Sequence, residues 1–163
     1  MNLYAIVEKS AYMKNFIEEY IPQLALLQAV VATLGSLSFS EILHFTPCVL
    51  CWYQRICMYP LIAILAVSIW RKNKDIPLYV LPLTLIGGGI AIYHNLLYYN
   101  IIPESAAPCK LGVSCTTHFF AWFGFITIPL LSLTAFTVIT ICMILYWKVQ
   151  RQQNPHSLSK KKK

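Results

Sequence analysis

Apolar residues in this chain run in blocks too long for a strand or an ordinary core helix. Residues 21–40 carry no formal charge, and residues 47–70 carry one, Arg55. Residues 77–99 are uncharged unless His94 takes a proton, and residues 119–147 form an uncharged run of 29. About 20 helical residues cross the hydrocarbon of a bilayer, where the backbone must satisfy its own hydrogen bonds. The pattern predicts an all-α polytopic membrane protein, a four-transmembrane-helix bundle occupying residues 21–147. Pro82 and Pro129 lack an amide donor and are expected to kink the third and fourth helices. The last run exceeds the hydrocarbon thickness, so it tilts or extends beyond it.

Composition agrees. Hydrophobic residues make up 58% of the 163 and charged residues only 12%, about half the share of a soluble domain. The net charge of +7 raises the question of nucleic acid, but the cations sit in three groups beside the apolar runs. Lys9 and Lys14 precede the first, Arg71, Lys72 and Lys74 follow the second, and Lys148, Arg151 and Lys160 to Lys163 follow the fourth. That is the distribution of positive charge retained in the cytoplasm, so no nucleic-acid partner is expected. The 71–75 link and a basic cytoplasmic tail, 148–163, then lie inside. The 41–46 link and the 100–118 loop, with one lysine (Lys110) against Glu41 and Glu104, lie outside. Residues 1–20 contain Glu8, Glu18 and Glu19 and no small-residue cleavage site after a short apolar stretch. They are expected to be a retained cytoplasmic segment, an interfacial helix ending near Tyr20. Tyr98, Tyr99, Trp122, Tyr146 and Trp147 fall near span ends, at headgroup depth.

The candidate chemistry is in two cysteine pairs, both on the outer side of this topology. Cys48 and Cys51 follow Pro47 and open the second span, where the free amides and the helix dipole stabilise a thiolate. Their spacing also lets the sulfurs meet. Positions 48, 51 and 55 share a helix face, and a guanidinium inside an apolar span usually faces a partner or a polar cavity. Beneath a thiol pair, Arg55 suits a thiolate or the negative oxygen of a reduced acceptor; the alternative is a side chain snorkelling to the headgroups. His94 should occupy the same outer half of the membrane as Arg55, fit to donate to an acceptor carbonyl or to relay a proton, with helix packing as the alternative. Gly87, Gly88 and Gly89 permit close approach of a neighbouring helix.

Cys109 and Cys115 bracket five residues of the large outer loop, short enough for a small disulfide ring if the geometry permits. A static extracytoplasmic disulfide is the alternative reading. Two pairs in sequence allow two-stage thiol–disulfide exchange from a soluble dithiol to a lipid-dissolved oxidant. A quinone fits that role, since it diffuses laterally and takes two electrons. Cys57 and Cys142 are isolated in spans and read as small apolar packing groups. His44, His118 and His156 offer no compact ligand spacing with the cysteines, so no metal is expected. Inert disulfides in an assembly protein and a metal-binding transporter are the competing functional classes.

The stretch Pro47-Cys48-Val49-Leu50-Cys51-Trp52-Tyr53-Gln54-Arg55 resembles the signature of the bacterial DsbB family of disulfide bond formation proteins. Cys109-Lys110-Leu111-Gly112-Val113-Ser114-Cys115 is similar to the outer-loop pair of its BdbC-like branch. The resemblance covers about residues 21–147. It implies a quinone-dependent protein-disulfide oxidoreductase, using menaquinone or ubiquinone, in the bacterial cytoplasmic (inner) membrane. Both termini would be cytoplasmic and both cysteine pairs extracytoplasmic. The implied partners are a soluble or membrane-anchored DsbA-like thioredoxin-fold thiol oxidase and, through the quinone, the respiratory chain. The implied roles are Cys51 facing the quinone, Cys48 as its exchange partner, Cys109 as the mixed-disulfide site, Cys115 as the resolving thiol and Arg55 on the quinone side. His94 corresponds less closely. The Cys109–Cys115 spacing is shorter than in proteobacterial members, which leaves partner docking open. Vitamin K epoxide reductase-like proteins share the architecture, but their redox CxxC comes late in the bundle, whereas this one opens the second span.

Overall fold

The computed structural model describes residues 3–103, 108 and 127–153, with side chains from residue 16 onward. The described residues form four helices and no strand: α1 (Leu3–Glu41), α2 (Val49–Trp70), α3 (Ile76–Tyr98) and α4 (Ile128–Gln153). Each holds a segment long and apolar enough to cross a membrane: Phe16–Glu41, Val49–Trp70, Ile76–Tyr98 and Ile128–Gln152. The chain is a multi-pass membrane protein. Its helices close a ring in which α1 packs on α2 and α4, and α3 on the same two neighbours.

Burial is partly reversed relative to a soluble bundle. Leu61, Leu65, Phe136, Ile139 and Met143 fill the centre, but Gln54, Thr84, His94 and Asn95 are buried with them. Large apolar side chains such as Trp70, Leu78 and Ile56 point outward, with Trp70 84% exposed. Lipid tails are as apolar as leucine, so they do not drive such groups inward. Polar groups instead find partners inside. Asn95 Nδ2 donates to Ala91 O at 2.8 Å and to Pro129 O at 2.9 Å, fastening α3 to the start of α4.

Three details depart from the sequence expectation. The first helix does not stop near Tyr20 but runs unbroken through Pro22 to Glu41. One proline removes a single backbone bond, which the bonds on either side outlast. Pro129 starts α4 rather than kinking it. At the second helical position its missing donor costs nothing, and Thr127 caps the turn by accepting from Leu130 N at 3.3 Å. Pro82 lies inside α3, as Pro60 does inside α2.

The third concerns the glycine run. Only Gly87 makes a close helix approach: a Cβ built there would collide with Cε1 and Cζ of Phe136, whereas one at Gly89 meets nothing within 4 Å. The buried Phe136 ring must shift to admit a methyl at 87. Gly87→Ala is expected to destabilise the bundle by about 1–3 kcal/mol through overpacking, while Gly89→Ala is tolerated. Unfolding in mixed micelles compares the two, and equal stability of both variants would remove the α3–α4 contact from the argument.

At the end of the bundle remote from the cysteines, Glu18 of α1 accepts from Lys74 Nζ at 2.9 Å and from Gln150 Nε2 of α4. One carboxylate thus ties α1 to the α2–α3 link and to α4.

Candidate functional site

Cys48 is the N-cap of α2. Its backbone is extended (φ −71°, ψ 170°), its carbonyl accepts from Trp52 N at 3.1 Å, and its sulfur accepts from Cys51 N at 3.4 Å. A sulfur here occupies the place that a serine or aspartate oxygen takes at other helix starts. One helical turn brings Cys51 beside it, with the two Sγ atoms 3.0 Å apart and hydrogen-bonded as free thiols. Cys48 lies one residue ahead of the span. The Cys51 thiol, hydrogen-bonded to its sulfur, outweighs burial and holds Cys48 well below the ordinary thiol range, with His94 adding to the effect.

His94 reaches this pair from α3. Its Nε2 is 3.7 Å from Cys48 Sγ and its Nδ1 is 3.3 Å from Gln54 Nε2. With the Gln54 amide donating, Nδ1 accepts and the ring proton lies on Nε2, aimed at the Cys48 sulfur. Gln54 and His94 are both buried, so water does not compete for these bonds.

Arg55, on the next position of α2, turns toward α1. Its Nε donates to Ser36 Oγ at 2.9 Å and its Nη2 to Ser36 O at 2.8 Å. The guanidinium carbon also lies 5.5 Å from the centre of the Trp52 ring, within cation–π range. These bonds tie the Arg55 head to α1.

These side chains border one cavity of about 320 Å³, within the size range of small-molecule sites. Cys48, Cys51, Gln54, Arg55 and His94 are among its polar lining residues, and Val31, Phe39 and Phe136 are among its apolar walls. An apolar hollow with a thiol pair, a guanidinium and an imidazole at its border fits a flat acceptor with polar edges. The arrangement suits two-electron exchange between the dithiol and such an acceptor.

Cys48, Cys51, Arg55 and His94, singled out from sequence, therefore converge. Cys109 and Cys115 lie outside the described residues, as do Lys110, His118, Trp122, His156, the terminal lysines and the first part of the 119–147 run. Cys57 and Cys142 are buried in the hydrophobic core away from the cavity, in keeping with packing. Two residues were missed. Gln54 carried a signal, an amide inside an apolar span three residues after Cys51. Ser36 carried none, since Ser38 and Ser40 look the same in sequence.

Residues 18–149 match the family model described as disulfide bond formation protein DsbB. The chain is 49% identical over 117 residues to disulfide bond formation protein C of Bacillus subtilis (strain 168), covering 72% of this chain and 85% of that one. It is 44% identical over 132 residues to probable disulfide formation protein C 1 of Bacillus anthracis, covering 80% and 94%. It is 40% identical over 130 residues to a probable disulfide formation protein of Metapseudomonas resinovorans, covering 79% and 88%. No solved structure matches the chain.

Proposed function

Because this chain belongs to the DsbB family of disulfide bond formation proteins, we propose that it is the quinone-dependent member of a disulfide relay that reoxidises a DsbA-like thioredoxin-fold protein. Family membership carries the coarser role, disulfide oxidoreductase chemistry in a multi-pass membrane protein. The observation that supports the finer reading is the common cavity: the Cys48/Cys51 pair, Arg55 and His94 border one hollow open to an apolar acceptor.

In this reading the reduced partner, soluble or membrane-anchored, attacks the Cys109–Cys115 disulfide at Cys109 and expels Cys115 as a thiolate; the partner's second thiol then resolves the mixed disulfide, so the partner leaves oxidised and the loop keeps both thiols. The loop dithiol then reduces the Cys48–Cys51 disulfide by a second exchange. A bound quinone, menaquinone or ubiquinone, supplies the oxidant, taking two electrons and two protons as Cys48 and Cys51 close to a disulfide. Cys51 faces the acceptor and Cys48 exchanges with the loop. Arg55 holds positive charge where the acceptor oxygen becomes negative, and His94 presents a ring proton at the sulfur. The charge groups that flank the spans favour cytoplasmic termini and an extracytoplasmic position for both pairs in the bacterial cytoplasmic membrane.

Stopped-flow quinone reduction with a reduced thioredoxin-fold donor tests the relay, paired with trapping of the donor through Cys109. The expected result is stoichiometric: one quinone reduced and one donor disulfide formed per cycle. A well-folded preparation that transfers no electrons to menaquinone or ubiquinone from several reduced donors would refute it.

A further inference from the structure

Sequence spacing gave no reason to expect a metal, because the nearest histidine in the chain to the CxxC is His44. The fold changes the neighbourhood. His94, far along the chain, reaches the pair, and the three donor atoms of Cys48, Cys51 and His94 all lie within 4.8 Å of one another. We propose that the reduced Cys48/Cys51 pair and His94 form a three-ligand site for a thiophilic divalent cation of the zinc type, whose occupancy withdraws the dithiol from redox exchange.

The distances are close to those a tetrahedral ion needs. Bond lengths of about 2.3 Å to sulfur and about 2.0–2.1 Å to nitrogen place neighbouring sulfurs about 3.8 Å apart and sulfur about 3.6 Å from nitrogen. Cys48 Sγ and His94 Nε2 stand at 3.7 Å. The two sulfurs stand at 3.0 Å, so they must spread by less than 1 Å, within reach of a small side-chain rotation at Cys51. Two helices supply the ligands, α2 with both thiols and α3 with the imidazole, and the fourth position is left for a ligand from the cavity.

Charge balance favours the same occupant. Two thiolates neutralise a divalent ion, so the filled site adds no net charge beside Arg55 and avoids the penalty of a buried unpaired ion. Binding releases whatever protons the two sulfurs still carry; two metal–sulfur bonds form and no electron moves. For Nε2 to give its lone pair, the ring proton moves to Nδ1. Gln54, whose amide nitrogen is 3.3 Å away, presents its oxygen instead after rotation of the amide. A metal-binding histidine commonly uses such an outer acceptor. The disulfide form has no thiolates to offer, so the ion and the oxidant compete for the same two sulfurs. This holds whatever the acceptor proves to be.

The test uses the full chain in nanodiscs with Cys109→Ser and Cys115→Ser, which removes the second dithiol. The protein is reduced with a phosphine and titrated with Co²⁺, then with Zn²⁺. The expected result is one Co²⁺ per chain with a sulfur-to-cobalt charge-transfer band and four-coordinate ligand-field bands, with thiol protons released as Co²⁺ binds and the bands lost, without further proton release, when Zn²⁺ displaces it. The oxidised protein shows none of this. His94→Asn weakens Zn²⁺ binding at least about tenfold, and Gln54→Glu, which offers Nδ1–H a stronger acceptor, tightens it. Tightening cannot come from misfolding. Absence of stoichiometric binding overturns the proposal, as does an affinity unchanged by both variants, which would leave simple chelation by the dithiol. Neither quinone nor partner enters the titration, so its failure and that of the relay are read separately.

Discussion

The Cys48→Ser protein is expected to fold and keep its cavity, while its turnover with quinone and a reduced thioredoxin-fold donor in the proposed relay falls at least about a thousandfold, as for loss of a reacting group with no substitute. Serine is itself a favoured N-cap. Its oxygen can accept from Cys51 N as the sulfur now does at 3.4 Å, so α2 keeps its start and the loss is chemical. What disappears is the only sulfur standing 3.0 Å from Cys51 among the described residues, and with it the disulfide that the proposed relay reduces from the loop. Turnover is followed by quinone absorbance, with helix content as the control for folding. Retention of even a tenth of parental turnover would assign the exchange to other thiols. The companion Cys109→Ser variant should instead lose capture of the donor while leaving the Cys48/Cys51 pair open to small oxidants.

If Arg55 serves the acceptor as proposed, Arg55→Met is expected to lower the rate of quinone reduction by about 100- to 1,000-fold, the loss typical of one donor to a developing oxyanion. The rate of mixed-disulfide formation with the donor is expected to stay at the parental value, because the proposed relay puts that step at the loop pair. Arg55 also holds α1, through Ser36 Oγ and Ser36 O, so methionine removes a tie as well as a charge. Ser36→Ala separates the two effects: it deletes one hydrogen bond and keeps the backbone acceptor, and its expected loss is under tenfold. Single-turnover kinetics resolve the steps. Identical rates for Arg55→Met and parent in both steps would remove Arg55 from the acceptor side.

The four spans were legible because the bilayer makes a coarse demand, long runs without charge, and Arg71, Lys72, Lys74, Lys148 and Arg151 mark their limits. The thiol pair and Arg55 were legible because helical periodicity puts 48, 51 and 55 on one face. Contacts between helices were not. The approach of His94 to Cys48 depends on how α3 docks against α2, and nothing local to position 94 encodes that. The hold of Ser36 on Arg55 is likewise a product of packing, one serine chosen among three by the rotation of α1. Continuity of α1 past Tyr20 was hidden by acidic residues that read as an aqueous segment, although Glu18 satisfies its charge against Lys74. Pro129 was misplaced because an uncharged run does not reveal where its helix begins. The loop pair, Cys109 and Cys115, stays a sequence expectation.

The seat of the Phe136 ring against Gly87 has an evolutionary consequence. The aromatic ring fills the volume that any side chain at 87 would claim, so neither position drifts by itself. A lineage that acquires even a methyl at 87 gains stability by shrinking the residue at 136 as well. The two sites are therefore expected to covary across relatives, the larger of the pair always facing the smaller.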